Sequence, residues 1–124
     1  VSARLTQVTP FVPCTSLQQQ IGFYRDILGF SVGFQAENYA FVRRDDVALR
    51  LVEVWETVDL SHPERENSFY VDVVGLDDLF ALMKPKLDTL ADGRVRAPFD
   101  QDYGQREFHV KDEDCTLIFF GEAL

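Results

Sequence analysis

The stretch Ser68-Phe69-Tyr70-Val71-Asp72-Val73 carries the arrangement best suited to chemistry. As a strand it sends Ser68, Tyr70 and Asp72 to one face and Phe69, Val71 and Val73 to the other. The apolar set suits packing under a helix. The mixed set suits a wet cavity: an aromatic ring beside a carboxylate offers a flat cationic ligand stacking or cation–π attraction plus a charge partner. Asp72 is equally suited to pairing with an arginine such as Arg50. The loop Phe99-Asp100-Gln101-Asp102-Tyr103 is acidic and aromatic together, as a recognition element at a cavity mouth would be. Phe34, Tyr39, Phe41 and Trp55 are candidates for aromatic wall, with Tyr39 and Trp55 favoured for their polar handles at strand ends. Asp72, Asp102 and Glu37 are the candidate charge partners.

Reactive chemistry finds less support. The chain has neither a Gly-rich phosphate loop nor a serine nucleophile elbow. Cys14 and Cys115 lack an evident histidine partner, and inert thiols are expected. His62 falls in a polar linker. His109 falls mid-strand, with no carboxylate spaced to meet it. Glu53 should face away from the side holding Arg50, because strand side chains alternate.

Two similar runs of elements must position these groups. Leu5–Val12 reads as a strand ended by Pro13. Ser16 and Gln19 have capping-box spacing, and Leu17, Ile21, Tyr24 and Leu28 recur at helical spacing up to Gly29. Strands are expected over 30–35, 39–43 and 47–55, with a tight turn at Asp45-Asp46. After the polar stretch ETVDLSHPERE the pattern repeats. A strand over 68–74 precedes a helix carrying Leu76, Leu79, Phe80, Met83 and Leu87, which Pro85 should kink or shorten. Asp92-Gly93 turns the chain, and strands follow over 94–98, 105–111 and 116–120. The reading is one α+β domain of two βαβββ units, 1–56 and 67–124, joined by a linker over 57–66. One such unit leaves an apolar sheet face uncovered. Two units form a cupped mixed sheet with helices outside and a cavity between the sheets.

At 124 residues and 46% hydrophobic the chain is long enough and apolar enough for one proper core. The net charge is −9, with −2 on residues 1–62 and −7 on residues 63–124. A phosphate backbone would be repelled, which argues against nucleic acid, whereas a cationic partner would be steered in. No stretch is apolar for long enough to cross a bilayer, and VSARLTQVTPF does not read as a signal peptide. Two free thiols in the cytoplasm are therefore expected.

SLQQQIGFYRDILGF (16–30) and GQREFHVKDEDCTLIFF (104–120) resemble the first helix and closing strand pair of the vicinal-oxygen-chelate superfamily, which includes glyoxalase I, fosfomycin-resistance enzymes and extradiol dioxygenases. GQREF, PFVPCTSL and FVRRDDVALRL resemble the bleomycin-resistance branch in particular. At the last turn many relatives carry Asp-Pro-x-Gly-Asn, whereas this chain has Asp112-Glu113-Asp114-Cys115-Thr116, with cysteine at the glycine position. The family's metal-ligand positions fall on Thr9, Arg50, Ser68 and Phe119, a set in which Phe119 cannot ligate and Arg50 repels a cation. The resemblance thus implies a pocket without metal or other cofactor, with Arg50, Ser68 and Phe119 among its lining residues. It also implies a homodimer whose clefts are lined by both subunits, and a non-enzymatic role: sequestering a basic, planar antibiotic. The alternatives are a metal-dependent lyase, isomerase or dioxygenase, or a protein-interaction module with a filled cavity.

Overall fold

The computed structural model describes residues 2–55 and 57–124. Val1 and Glu56, the outermost residues of the expected first unit, lie outside the described residues. The elements are β1 (Phe11–Cys14), α1 (Leu17–Gly22), β2 (Ser31–Gln35), β3 (Tyr39–Arg44), β4 (Val47–Glu53), β5 (Ser68–Asp72), α2 (Leu76–Leu87), β6 (Val95–Asp100), β7 (Gln105–Lys111) and β8 (Leu117–Ala123). They build two four-stranded mixed sheets of the same order, β1-β4-β3-β2 and β5-β8-β7-β6. In each sheet the first strand pairs parallel to the fourth, which requires the helical crossover that follows it. The α+β class and the repeat expected from the sequence are present.

Local chemistry explains the elements. Ser16 caps α1, its hydroxyl accepting from the Gln19 amide at 3.3 Å. The helix then widens into a π turn over Phe23–Ile27, where the Leu28 amide reaches back to the Phe23 carbonyl. The wider turn lets Phe23 and Tyr24 both point inward, and both are buried. Gly29 ends it at φ +78°. Gly75 caps helix α2, and its amide and that of Leu76 donate to the Glu122 carboxylate at 2.9 and 3.0 Å. Pro85 is accommodated inside α2, which ends two residues later at Leu87.

One boundary differs substantially. The first strand begins at Phe11, not Leu5, and Pro13 lies within it. Residues 2–8 are exposed, and apolarity alone does not make a strand without a partner to bond. Pro13 is tolerated because β1 is an edge strand, where its missing N–H breaks no ladder bond.

One face of each sheet is buried under its helix, and the two buried faces share one core. Val12, Ile21, Tyr24, Leu49 and Leu51 of the first unit join Leu76, Met83, Phe108, Val110, Ile118 and Phe120 of the second. A polar link ties the units together. Tyr24 donates to Asp112 at 2.9 Å in a buried site, and Asp114 accepts from the Thr15 amide, the Thr15 hydroxyl and the Gln20 amide group. Asp112 also accepts from the amides of Asp114 and Thr116, which closes the last turn without glycine. Cys115 accordingly adopts φ +69°, the left-handed region its glycine-like position requires.

Candidate ligand-binding site

The face of the second sheet turned away from its helix carries a continuous row of flat side chains. Strand register brings Tyr70, Phe119, His109 and Arg96 into one line across β5, β8, β7 and β6. The Tyr70 and Phe119 rings stack with centroids 5.9 Å apart, and Phe119 lies 4.3 Å from His109. Phe99 meets His109 edge-on at 5.1 Å, with the Arg96 guanidinium 3.4 Å above the Phe99 centroid. Cross-strand pairing of this kind adds stabilisation beyond area, and here it also makes a flat aromatic platform.

Gly121 makes the platform possible. A Cβ at this position would lie 1.7 Å from the Tyr70 hydroxyl oxygen. The bare backbone lets the phenol lie across the sheet, where it accepts from the Gln105 side chain at 2.9 Å.

Beside the row, on the same face of β7 as His109, sits Glu107, wholly buried. Its carboxylate accepts from the Tyr103 hydroxyl at 2.5 Å and the Gln101 amide group at 3.1 Å, and lies 2.8 Å from His109 Nε2. Burial works to raise the Glu107 pKa, but hydrogen bonds led by Tyr103 and His109 outweigh it and hold the group at about 2. In return the bond to Glu107, aided by desolvation, pushes the Tyr103 hydroxyl up to about 12. The loop over 101–104, turned by Gly104 at φ +88°, is thus tied down to the sheet by its acidic anchor.

The sequence-derived candidates separate into distinct places. Ser68, Tyr70, Asp72 and Phe119 lie on this face, and Tyr103 is fastened to it. Asp72, exposed at the end of β5, also borders a hollow of about 360 Å3 between the units, with Phe30, Asp46, Val47 and Val71. Asp102 is exposed at the loop tip. Phe34, Tyr39 and Arg50 lie on the corresponding face of the first sheet, and Glu37 stands in the turn between β2 and β3. Trp55 follows the end of β4, is 83% exposed, and borders a separate cleft with Thr15, Asn38 and Glu53.

Asp72 does not pair with Arg50. Arg50 instead donates to the Thr9 hydroxyl at 2.7 Å and to the Tyr39 hydroxyl, and its guanidinium lies 5.2 Å from the Phe41 centroid. Among the described residues, no hydrogen bond, ion pair or ring contact joins Phe34, Tyr39, Phe41 or Arg50 to Tyr70, Phe99, His109 or Phe119. The expected shared concavity is therefore not closed within one chain: the units join through their helical sides, which leaves both aromatic faces open.

The expectation for His109 is corrected as well. Its carboxylate partner is Glu107, two residues earlier on the same strand face. Alternation alone would have found it, since Gln105, Glu107 and His109 share one face while Arg106, Phe108 and Val110 share the other. Glu53 does turn to the helix side, where it accepts from the Leu17 amide at 3.3 Å. His62 is an exposed turn residue.

The donor set does not suit a resident divalent ion. At the positions the resemblance assigns to metal ligands, Arg50 and Thr9 bond to each other on the first unit, and Phe119 is stacked on the second. Among the described residues no three of His, Cys, Asp and Glu converge as ligands.

Comparison with known proteins agrees with this architecture. A "Bleomycin resistance protein" of Geobacillus stearothermophilus is 27% identical, covering 97% of this chain and 98% of the relative. A crystal structure of a bleomycin-binding protein complexed with bleomycin superposes with a TM-score of 0.81 at 22% identity, covering 97% of this chain and all of the other. The bleomycin-binding protein from bleomycin-producing Streptomyces verticillus, complexed with copper(II)-bleomycin, gives 0.77 at 22% identity, covering 96% and 97%. A lactoylglutathione lyase from Agrobacterium tumefaciens gives 0.70 at 15% identity, covering 97% and 96%, so the fold is shared by binding proteins and enzymes. The family profile matches residues 4–120, and the chain belongs to the Glyoxalase/Bleomycin resistance protein/Dioxygenase superfamily.

Proposed function

We propose that this chain is a binding protein of the bleomycin-resistance type, which sequesters a flat cationic aromatic compound and so keeps it from its target. The observation that carries the reading is the row Tyr70–Phe119–His109–Phe99 flanked on the same sheet face by an ionised carboxylate. A π surface bordered by negative charge favours a planar cation. Arg96 already caps the Phe99 end of the row, and on the first sheet Arg43 and Arg50 lie over the Phe41 ring, so the Tyr70–Phe119–His109 stretch is the part of the row whose rings carry no guanidinium among the described residues. Relatives named for bleomycin resistance cover nearly the whole chain, which favours sequestration over a lyase or dioxygenase role.

The working unit in this reading is a homodimer. Phe11, Phe34, Leu5 and Val8 are at least half exposed, and a second copy would both cover them and set its first sheet against this row. Phe34, Glu37, Tyr39 and Arg50 of one copy would then complete the cleft floored by Tyr70, Phe119 and Tyr103 of the other. Asp72, Ser68 and Asp102 lie at its edge. The compartment proposed is the cytoplasm, where Cys14 and Cys115 remain free thiols. No helix among the described residues is long and apolar enough to cross a membrane.

Calorimetric titration with metal-free bleomycin tests the proposal. Saturable binding that weakens about tenfold or more in Tyr70→Ala and Phe119→Ala is expected, since each change removes a stacking surface. Absence of binding by the unaltered protein, or affinity unchanged in both variants, refutes it.

A further inference from the structure

We infer that His109 is the polar specificity element of the aromatic row, offering its Nδ1 atom as a hydrogen-bond acceptor to an N–H donor of the bound compound, and that Glu107 is the positioning residue that fixes this tautomer. The inference rests on the row being the binding surface.

An ionised carboxylate can only accept hydrogen bonds. Glu107 lies 2.8 Å from His109 Nε2, so the proton in that contact belongs to the histidine. With Nε2 protonated, a neutral imidazole has its lone pair on Nδ1. Among the described residues Nδ1 has no hydrogen-bond partner, and no unsatisfied side-chain nitrogen or oxygen is sealed from solvent. The atom is thus an unpaired acceptor with solvent access, in a ring whose side chain is otherwise only 12% exposed.

Its surroundings make the acceptor selective. Phe119 at 4.3 Å and Phe99 at 5.1 Å fix the plane of the imidazole, so the lone pair has a set direction. Both neighbours in the row are hydrocarbon rings, which offer a ligand area but no hydrogen-bond polarity. Tyr70, at the far end, has its hydroxyl engaged by Gln105, and Tyr103 has its own engaged by Glu107. Arg96, opposite His109 on β6, can only donate. His109 is therefore the acceptor on which the row can distinguish a heteroaromatic or amidinium-type ligand carrying N–H from a hydrocarbon of the same outline. A site that leaves an acceptor unpaired when the donor is missing discriminates strongly against the analogue. Glu107 contributes at one remove: it touches the imidazole, Tyr103 and Gln101, and its negative charge settles which ring nitrogen holds the proton.

The test combines calorimetry with nitrogen NMR of the imidazole, using metal-free bleomycin as the probe and thermal unfolding to verify that each variant is folded. In the unaltered protein the ring nitrogen shifts should report protonated Nε2 and unprotonated Nδ1, and saturation should move the Nδ1 resonance in the direction of an accepted hydrogen bond. His109→Phe keeps a ring in the row and removes the acceptor; its affinity should fall about tenfold. Glu107→Gln should mix the two tautomers in the free protein and weaken binding toward the His109→Phe level. Undiminished affinity in His109→Phe, or an Nδ1 resonance unmoved at saturation, overturns the inference. If Tyr70→Ala weakens binding and His109→Phe does not, only this inference fails. If the unaltered protein does not bind bleomycin, the proposed function fails with it.

Discussion

Replacing Glu107 by glutamine removes the charge at the centre of the site while keeping its size. In the folded protein hydrogen bonds hold this carboxyl at about 2 against burial, whereas an ordinary glutamate titrates at 4.5. A carboxyl depressed by folding stabilises fully above its unfolded value and loses that contribution as the pH falls through its folded value. The window is therefore pH 4.5 down to about 2. At about 1.4 kcal/mol per pH unit that interval corresponds to about 3 kcal/mol. The Tyr103 ring that supplies one of these bonds is itself exposed, and solvent screening at that bond reduces the contribution to about 2 kcal/mol. Asp112 works in the opposite sense, because burial raises its pKa, but it is present in both proteins and cancels in their difference. Urea unfolding followed by circular dichroism at several pH values measures the gap. The unaltered protein should be more stable by about 2 kcal/mol near neutrality, and the gap should shrink to about half that by roughly pH 3. A gap that does not change between those conditions would refute the argument, since a purely steric cost of glutamine has no reason to titrate.

Two further outcomes are expected. Gly121→Ala places a methyl group 1.7 Å from the Tyr70 hydroxyl oxygen. The half-exposed ring should swing off Phe119, costing about 1–3 kcal/mol of stability and about fivefold or more in bleomycin affinity, measured by unfolding and calorimetry; unchanged affinity would show that ring placement is not limiting. In thiol titration at neutral pH, Cys115 should react in the native protein and Cys14 only after unfolding. Cys115 is exposed, whereas Cys14 is buried and its thiol is pushed up to about 12, first by desolvation and then by Asp114, Glu53 and Asp112. Two fast native thiols would contradict that placement.

Much of the fold was legible because it depends on short-range pattern. Helical spacing from Leu17 to Leu28 and from Leu76 to Leu87, alternation along Ser68–Val73, and the turns at Asp45-Asp46 and Asp92-Gly93 each follow from local sterics and from which face must leave water. The conformation of the Asp112–Thr116 turn was not legible, because cysteine stands where relatives carry glycine, and only the structure shows Cys115 at φ +69°. The widened turn at Phe23–Ile27 was not legible, because a π turn and an α turn present nearly the same apolar spacing until a second unit demands that Phe23 and Tyr24 both face inward.

The two βαβββ units and the aromatic and acidic character of the second are properties of residue type and neighbourhood, and were legible in the sequence. Which of these groups meet depends on long-range pairing and packing. Four strands had to pair in one register before Tyr70, Phe119, His109 and Arg96 fell into line, and the 101–104 loop had to fold back before Tyr103 reached Glu107. The role of Gly121 exists only because a ring from the neighbouring strand lies over it. Packing of the two units through their helical sides likewise settled that the aromatic faces of a single chain stay apart. Register and packing are long-range outcomes of the whole chain burying its apolar faces together, so no window of sequence states them.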